Sequence, residues 1–387
     1  MTTTARTATF DVAALRRAEY PWTDEVVYLN SASIGPLPER TRLALEEFNR
    51  ARSRPHLLSD PMLFAGLDEA RALVGRLINA DPAEIALSVN TTWGLNLAAM
   101  GLPLERGDIV LLSDREFPAN VYPWLRLEER GVTVELAPTT PEGWPDEDRL
   151  LERLRDPRVR VLAVSLVQFS NGWLADLAKL GAAARTNGAW VVVDAIQGVG
   201  QVPVDVQSLP VDVLACGGQK WLLSPWGSGF TYVRRDLIER LEPPVVSWMA
   251  FAGTDDFTRL TEYDPALRPD ARRYEFITLP YQDIAGMSRS LELILELGVE
   301  RIQAHLASLR APLLEWARER DVRITSPTDH HASGIVCLAP PDAAGAFRAL
   351  RAAGIVASLR EGSIRLSPHA FNTPDDIARV MDVLDGR

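Results

Sequence analysis

The stretch VVVDAIQGVG (191–200) is a run of valines that ends on an acid, Asp194. A second stretch, CGGQKWLLSPWGSGF (216–230), places Lys220 shortly after another apolar run, VDVLAC (211–216). Nearly continuous apolar strands are typical of parallel sheets that are covered on both faces. Ligands of such sheets bind at the carboxyl ends of the strands. We therefore expect Asp194 and Lys220 to share one crevice, although alone they would be read as a helix cap and a solvated loop cation.

Alternating β-rich and helix-like segments surround these two stretches. The β-rich runs are EIALSV (84–89), DIVLLS (108–113), VTVELA (132–137), VRVLAVSLV (159–167), AWVVVD (189–194), VDVLAC (211–216) and GFTYVR (229–234). Helix-like segments, including 92–102 and 174–188, lie between several of them. Strands that alternate with helices predict a mostly parallel α/β sheet.

The alternation of strand-like and helix-like segments ends after about residue 235. Residues 246–280 show no clear period and predict a long irregular segment. Beyond them, an amphipathic helix (283–320), a strand (333–339), a helix (341–353) and two short strands predict a compact C-terminal α+β unit. We accordingly expect an N-terminal segment (1–25), a large domain (26–260) and a small C-terminal domain (261–387) with which the N-terminal segment is grouped.

Composition limits the possible partners and the compartment. The net charge of -11 repels nucleic acid and anionic lipid, so neither is an expected partner. Two cysteines cannot form a disulfide framework, which favours a reducing compartment. The N-terminus lacks the apolar core of a signal peptide, and no run approaches the about 18 apolar residues of a membrane helix. We expect a cytoplasmic protein.

Together, DAIQGVGQVPVDV and DVLACGGQKWLLSPWGSGF resemble the class V aminotransferase family of fold type I pyridoxal phosphate (PLP) enzymes. The similarity extends from YLNSASIGPLP (28–38) to IRLSPHAFNT (364–373). The resemblance implies an α/β PLP-dependent transferase fold of type I. Its large domain holds a mostly parallel seven-stranded sheet, and its smaller C-terminal domain is α+β. The resemblance also implies PLP as cofactor, an α-amino acid as small-molecule substrate, and a homodimer with shared active sites.

The same resemblance assigns residues to the cofactor ring. Lys220 would form the Schiff base with PLP and later move the α-proton, while Asp194 would pair with the ring nitrogen. Gln197 would donate to the phenolic oxygen of the ring. Asn171, in QFSNG, matches a family asparagine beside that oxygen, or is a turn residue before Gly172.

Further residues match the family's phosphate and stacking positions. Thr91 and Thr92, in SVNTTWGLN (88–96), lead into a helix whose N-terminus would bind the phosphate, or they simply cap that helix. Phe117, in DREFPANVYPW (114–124), would stack on the ring; otherwise it belongs to the core. Trp93 competes for the same face.

Three positions depart from the family pattern or extend it across subunits. Many relatives have Ser-x-His before the lysine, where this chain has Gly217 and Gln219. Part of the phosphate contact is therefore missing or taken by Gln219. Thr278, in YEFITLP, matches a threonine that reaches the phosphate of the neighbouring subunit; alternatively, it is an ordinary β-branched strand residue.

The resemblance places the substrate carboxylate on Arg365, in GSIRLSPHAFNT, because a guanidinium binds a carboxylate with two hydrogen bonds. The alternative is a surface arginine on a strand. Arg360 lies close by in the sequence and would contribute. His369 is either a cap-like residue or a partner of the residues that line the site.

After the α-proton is removed, the family's reactions diverge into transamination, β-elimination (C–S lyase) and epimerisation. Desulfurases of the family carry a loop cysteine before the arginine strand, where SLREGSIRLS (358–367) has Ser363. Cys337 lies mid-strand and Cys216 lies off that loop, so a cysteine desulfurase is disfavoured. A catalytically silent PLP-fold binding protein and a nucleotide-binding enzyme without PLP are the remaining alternatives. The histidine spacing matches no metal site, so no metal is expected.

Overall fold

The computed structural model describes residues 10–386, so residues 1–9 of the predicted N-terminal segment lie outside it. The chain begins with two short elements and two longer helices: α1 (Val12–Glu19), β1 (Val27–Tyr28), α2 (Glu39–Arg52) and α3 (Asp60–Ile78). Asp11 caps α1 by accepting the Ala14 N–H, and α3 ends at Asn79, which adopts a left-handed conformation (φ 56°).

A seven-stranded sheet forms the centre of the molecule. Its strands are β2 (Ile85–Ser88), β3 (Ile109–Ser113), β4 (Thr133–Ala137), β5 (Val159–Ser165), β6 (Trp190–Asp194), β7 (Val213–Gly217) and β8 (Gly229–Val233). Their order is β2-β8-β7-β6-β5-β3-β4, and every neighbouring pair is parallel except the two that involve β8. The predicted mostly parallel seven-stranded sheet is therefore confirmed.

Helices and loops cover both faces of this sheet, which explains why its strands are apolar throughout. Four helices lie between the strands: α4 (Thr91–Gly101), α5 (Tyr122–Leu125), α6 (Glu147–Arg153) and α7 (Leu177–Thr186). Along β6, Val191 and Val193 join one core cluster, whereas Trp190 and Val192 join the cluster on the other face. Both sets of side chains are buried, so the strand has no polar side.

The C-terminal part adds four helices and five strands. They are α8 (Tyr281–Leu297), α9 (Val299–Glu319), β9 (Arg323–Ile324), β10 (Val336–Ala339), α10 (Ala343–Ala352), β11 (Ile355–Val356), β12 (Ser358–Arg360), β13 (Ser363–Leu366) and α11 (Pro374–Leu384). Four of the strands form an antiparallel sheet in the order β12-β13-β10-β9, while β11 pairs in parallel with β1. The smaller α+β unit is thus present.

The prediction of one helix over residues 283–320 is wrong, because Gly298 separates α8 from α9. Its φ of 81° lies outside the helical region and is one that glycine adopts without steric cost. The two helices serve different parts of the molecule: α8 packs against α2 and α3, whereas α9 packs against the C-terminal sheet and α11. The division of the chain at residue 260 stays a prediction.

The topology brings strand ends and the N-terminal chain to one crevice. Ser165 of β5 and Ala215 of β7 flank Asp194 at the carboxyl end of β6. The chain after β1 crosses this edge, where the Gly35 N–H donates to the Gln219 carbonyl (2.8 Å). Within residues 10–386, no helix has both the length and the apolar character needed to cross a bilayer.

Candidate active site

Lys220 and Asp194 lie in the same crevice and influence each other's charge. Burial lowers the pKa of Lys220 to about 8; the Arg365 guanidinium lowers it further, and Asp194 opposes this shift. Burial raises the pKa of Asp194 to about 6, against the opposing effects of the Ile196 N–H and Lys220. The crevice therefore holds a weakly basic amine beside a carboxylate that is largely ionised at pH 7.

Lys220 and Lys179 are the only lysines in the sequence. Lys179 lies on the surface of α7, where its Nζ is 3.3 Å from a carboxylate oxygen of Asp148. Lys220 is the half-buried one of the two. A reaction that requires a lysine in a crevice thus has one choice in this chain.

The Phe117 ring borders the crevice. Its side chain is 41% exposed, and the Lys220 Nζ lies 5.6 Å from the ring centroid, so the alternative of a core residue is wrong. Phe169 contacts it edge-on, with the ring centroids 5.2 Å apart. The competitor, Trp93, donates its indole N–H to the Tyr274 carbonyl (3.3 Å) and lies against Phe276 instead.

The first turn of α4 meets the end of β7 beside Lys220. Asn90 caps the helix by accepting the Trp93 N–H (2.9 Å), so the alternative that the threonines cap it is wrong. Thr91 accepts the Gly217 N–H through its hydroxyl (2.9 Å), and Thr92 is exposed. The first N–H groups of a helix have no intrahelical partner and favour anions. This end of α4 therefore suits a phosphate.

Gly217 shows how closely the backbone approaches at this point. A Cβ at this position would lie 2.5 Å from the Gln219 Oε1 and 3.3 Å from the Thr91 hydroxyl oxygen. Any side chain at this position would therefore require Gln219 to move. Gln219 occupies the space beside the α4 terminus that such a side chain would need.

Gln197 and Asn171 are both held by internal hydrogen bonds. The Gln197 amide donates to the Ala32 carbonyl (2.9 Å) and accepts from the Trp221 indole (2.8 Å), which leaves one N–H for a ligand. The Asn171 amide donates to the Gly143 carbonyl and accepts the Trp173 N–H, both at 3.0 Å. These contacts favour the turn interpretation of Asn171, and its contact with a cofactor stays a prediction.

Thr278 is exposed and lies in a bend of the irregular segment. The alternative that it is a strand residue is wrong. Its predicted contact with a neighbouring subunit's phosphate stays a prediction.

Arg365 lies in β13 and is only 2% exposed, so the alternative of a surface arginine is wrong. One terminal nitrogen donates to the Phe169 carbonyl (2.6 Å), and the other donates to the Ser33 hydroxyl (2.7 Å). Its Nε has no hydrogen-bond partner among residues 10–386, and burial lowers the pKa of the group to about 10. A buried cation with uncharged partners and a free donor is suited to bind an anion.

The two neighbours of Arg365 in the predicted set lie in different places. Arg360 is exposed and donates to the Leu359 carbonyl. His369 is buried, and burial lowers its pKa to about 4, so the ring is neutral at pH 7. It accepts the Ala370 N–H at Nδ1, which leaves Nε2 to donate to the Trp221 carbonyl (3.1 Å). His369 thus supports the residue that follows Lys220.

Neither thiol is exposed. Burial raises the pKa of Cys337 to about 12 and that of Cys216 well above its ordinary value. Ser363, at the position of the family's loop cysteine, forms a hydrogen bond with the Thr325 hydroxyl (2.9 Å). In the part of the chain that the structure describes, no group of three or more metal-ligating side chains is present.

Glu116 is a buried carboxylate that sequence reasoning missed, although it directly precedes Phe117. It accepts hydrogen bonds from Ser165, Gln168 and Asn120. The available signal was an acid and an amide four residues apart, Glu116 and Asn120, directly after a buried strand.

These groups match the chemical needs of PLP. The crevice offers an amine of lowered pKa, a buried carboxylate, an exposed aromatic face and a helix N-terminus at a glycine-lined approach. They would serve, respectively, the aldehyde, the ring nitrogen, the ring face and the phosphate. The residues present therefore fit the cofactor.

Comparisons with known proteins agree with this fit. A family model described as Aminotransferase class-V matches residues 27–379. The chain is 31% identical to a probable cysteine desulfurase of Methanothermobacter thermautotrophicus, over 75% of this chain and 72% of that one. It is also 31% identical to isopenicillin N epimerase of Streptomyces clavuligerus, over 93% and 94% of the two chains.

A solved structure of a C-DES mutant, with glycine covalently linked to its PLP cofactor, superimposes with a TM-score of 0.87. It shares 22% identity and covers 95% of this chain and 98% of that chain, which supports the fold. The absence of the loop cysteine argues against a cysteine desulfurase. The comparisons do not support that prediction, because the Methanothermobacter relative is named a probable cysteine desulfurase.

Proposed function

Because this chain belongs to the class V aminotransferase family, and is therefore a PLP-dependent enzyme, we propose that it eliminates a sulfur substituent from a cysteine-like α-amino acid. PLP, when bound, supplies the electron sink for the electron pair left at the α-carbon. The observation that carries this proposal is the shared crevice of Lys220 and Arg365, in which burial lowers the pKa of the amine and the nearby guanidinium adds to that shift.

Lys220 is the base that removes the α-proton. A general base works best when its pKa is near the operating pH, and burial lowers the pKa of this amine to about 8. About a tenth of the amine is therefore neutral at pH 7. Asp194, with a pKa of about 6, is largely ionised at pH 7 and would accept a hydrogen bond from the protonated ring nitrogen of PLP.

Arg365 orients the substrate by its carboxylate. The guanidinium is buried, its partners are uncharged, and its Nε has no partner among the described residues. A carboxylate there gains charge-assisted hydrogen bonds in a site of low dielectric constant. The α-proton is thereby presented to Lys220 and the β-substituent is directed away from Arg365.

Direct release of the sulfur product follows from the state of the two cysteines. Both thiols are buried, and their raised pKa values leave almost no thiolate at neutral pH. A sulfur atom has no ready acceptor on this chain. The substituent therefore leaves as a thiol or sulfide, and water converts the remaining carbon skeleton to pyruvate and ammonia.

A cysteine desulfurase that delivers sulfur to an external thiol is the second candidate, favoured by the name of the Methanothermobacter relative. Epimerisation, the reaction in the name of the Streptomyces relative, is less favoured than either of these. Inversion with two bases needs a proton donor on the ring face opposite Lys220, and Phe117, the side chain proposed for one face, carries none.

Product analysis of the PLP-loaded enzyme tests the proposal. With L-cysteine, we expect equal amounts of pyruvate, ammonia and sulfide. Alanine as the main product, in the presence of an added thiol, would overturn direct elimination in favour of desulfuration. Exchange of the α-proton with solvent deuterium and loss of optical purity, without pyruvate, would overturn it in favour of epimerisation.

A further inference from the structure

Glu116 accepts more hydrogen bonds than an ordinary structural carboxylate on a protein surface, and it does so while 6% exposed. One oxygen accepts the Ser165 backbone N–H (3.0 Å) and the Gln168 amide (2.6 Å). The other accepts the Ser165 hydroxyl and the Asn120 amide (3.2 Å). The donors come from the end of β5, from the loop that follows it, and from the turn after Phe117.

This arrangement makes the carboxylate hard to replace. Two carboxylate oxygens accept from four donors, whereas an amide of the same shape has one oxygen and brings two N–H groups of its own. At least two of the surrounding donors would then lose their acceptor inside the protein. The loops that supply these donors would have to move to find new partners.

Those loops carry the two groups proposed to face the cofactor and the substrate. Phe117 directly follows Glu116, and its ring lies against Phe169, with 5.2 Å between centroids. Phe169 directly follows Gln168, and its carbonyl accepts the Arg365 guanidinium (2.6 Å). A continuous set of contacts therefore runs from Glu116 through Phe117 and Phe169 to Arg365.

We propose that Glu116 is a positioning residue that holds the Phe117 ring against the cofactor and the Phe169 carbonyl against Arg365. This inference rests on the proposed roles of Phe117 and Arg365. It goes beyond them by assigning the relative placement of cofactor face and substrate-binding guanidinium to one buried carboxylate.

The test is the rate at which PLP leaves the enzyme, measured by trapping released cofactor at a temperature well below unfolding. We expect Glu116→Gln to release PLP at least tenfold faster than the wild type, and to raise KM for the amino acid more than it lowers kcat. Glu84→Gln is the matched control. Glu84 is also a buried carboxylate, 5% exposed, that accepts the Asp81 and Arg235 N–H groups, far from the crevice in the fold.

Gln168→Met keeps the carboxylate and removes one donor, so it carries the test if Glu116→Gln does not fold. We expect it to move release rate and KM in the same direction by a smaller factor. Phe117→Ala distinguishes a failure of the proposed contact between Phe117 and the cofactor from a failure of the positioning role of Glu116. If Phe117→Ala leaves PLP release unchanged, the proposed ring contact is wrong. If Phe117→Ala speeds release while the Glu116 and Gln168 variants match Glu84→Gln, the positioning role is overturned.

Discussion

We expect the buried Lys220 amine to lower the stability of the cofactor-free protein. Its pKa falls from 10.5 to about 8 on folding, so the unfolded chain binds its proton more tightly. Between pH 8 and about 10.5 the unfolded state carries more protons, and the free energy of unfolding therefore rises with pH in this window. Below pH 8 the protein carries the whole destabilisation that comes from burying the charged amine. At 1.36 kcal/mol per pKa unit, this loss in the free energy of unfolding is at most about 3 kcal/mol.

We expect Lys220→Met to raise the free energy of unfolding of the cofactor-free protein at pH 7. This difference from the wild type should become smaller as the pH approaches 10. Denaturant unfolding of both proteins at pH 7, 8, 9 and 10 measures this difference, in which the titration of groups that do not interact with Lys220 cancels. A constant difference between the two proteins across that range would show that the amine is not desolvated in the folded state.

Arg365 is expected to affect substrate binding and not cofactor loading. Arg365→Ala removes charge-assisted hydrogen bonds to the substrate carboxylate, which are worth about 3 kcal/mol together, or roughly 10²-fold in kcat/KM. The loss should fall mainly on KM, and the absorption of bound PLP should persist. Arg351→Ala is the control because Arg351 is exposed on α10 and is not among the charges that shift the pKa of Lys220 or Arg365. Equal kinetics of the two variants would remove Arg365 from the carboxylate role.

At the scale of residues, the sequence alone placed Lys220 and Asp194 at one crevice because strand ends of a parallel sheet converge. It did not reveal that Asn90, and not a threonine, caps α4, since asparagine and threonine both favour that position. The sequence also did not predict which groups form hydrogen bonds with the Gln197 side chain. Its partners, Ala32 and Trp221, come from other parts of the chain, which only the fold brings together.

The N-terminal chain that crosses the crevice packs against the loop between β7 and β8 (218–228), which carries Lys220 and is called the lysine loop below. A Cβ on Gly35 would lie 1.9 Å from the Lys220 carbonyl oxygen, a distance that the backbone cannot accommodate without moving. We expect Gly35→Ala to displace the lysine loop and weaken PLP binding at least tenfold. Equilibrium binding of PLP, followed by absorbance, measures this effect.

Gly66→Ala is the matched control for that substitution. Gly66 lies within α3, and a Cβ there would meet no atom within 4 Å. Alanine should stabilise the helix by about 0.5–1 kcal/mol and leave PLP affinity unchanged. If Gly35→Ala binds PLP as tightly as Gly66→Ala does, the N-terminal crossing does not hold the lysine loop.

Element boundaries were predictable where an apolar run ends at polar or turn-forming residues, as in β6 and α4, and less so where a single residue interrupts a helix. The amphipathic period continues across Gly298, so α8 and α9 read as one helix in the sequence. Only the packing of α8 on α2 and α3 shows that the chain must turn there. An isolated glycine carries too little local information to predict such a turn.

For the molecule as a whole, the large apolar side chains that remain exposed predict an association of two copies. Trp248, Tyr263 and Phe276, in or beside the irregular segment that carries Thr278, are 45%, 88% and 50% exposed. We expect light scattering to give about twice the chain mass of 42.7 kDa. A mass of one chain for the active enzyme would contradict shared sites and the predicted role of Thr278.

The central claim is that Lys220 bonds to PLP in a crevice that it shares with Asp194. Reduction of the PLP-loaded enzyme with borohydride, followed by digestion and mass spectrometry, tests it directly, because Lys179 is the only other lysine. We predict one pyridoxyl group per chain, on the peptide that contains Lys220, and an unchanged result in Lys179→Ala. Label on Lys179, or no label on either lysine, would contradict the account.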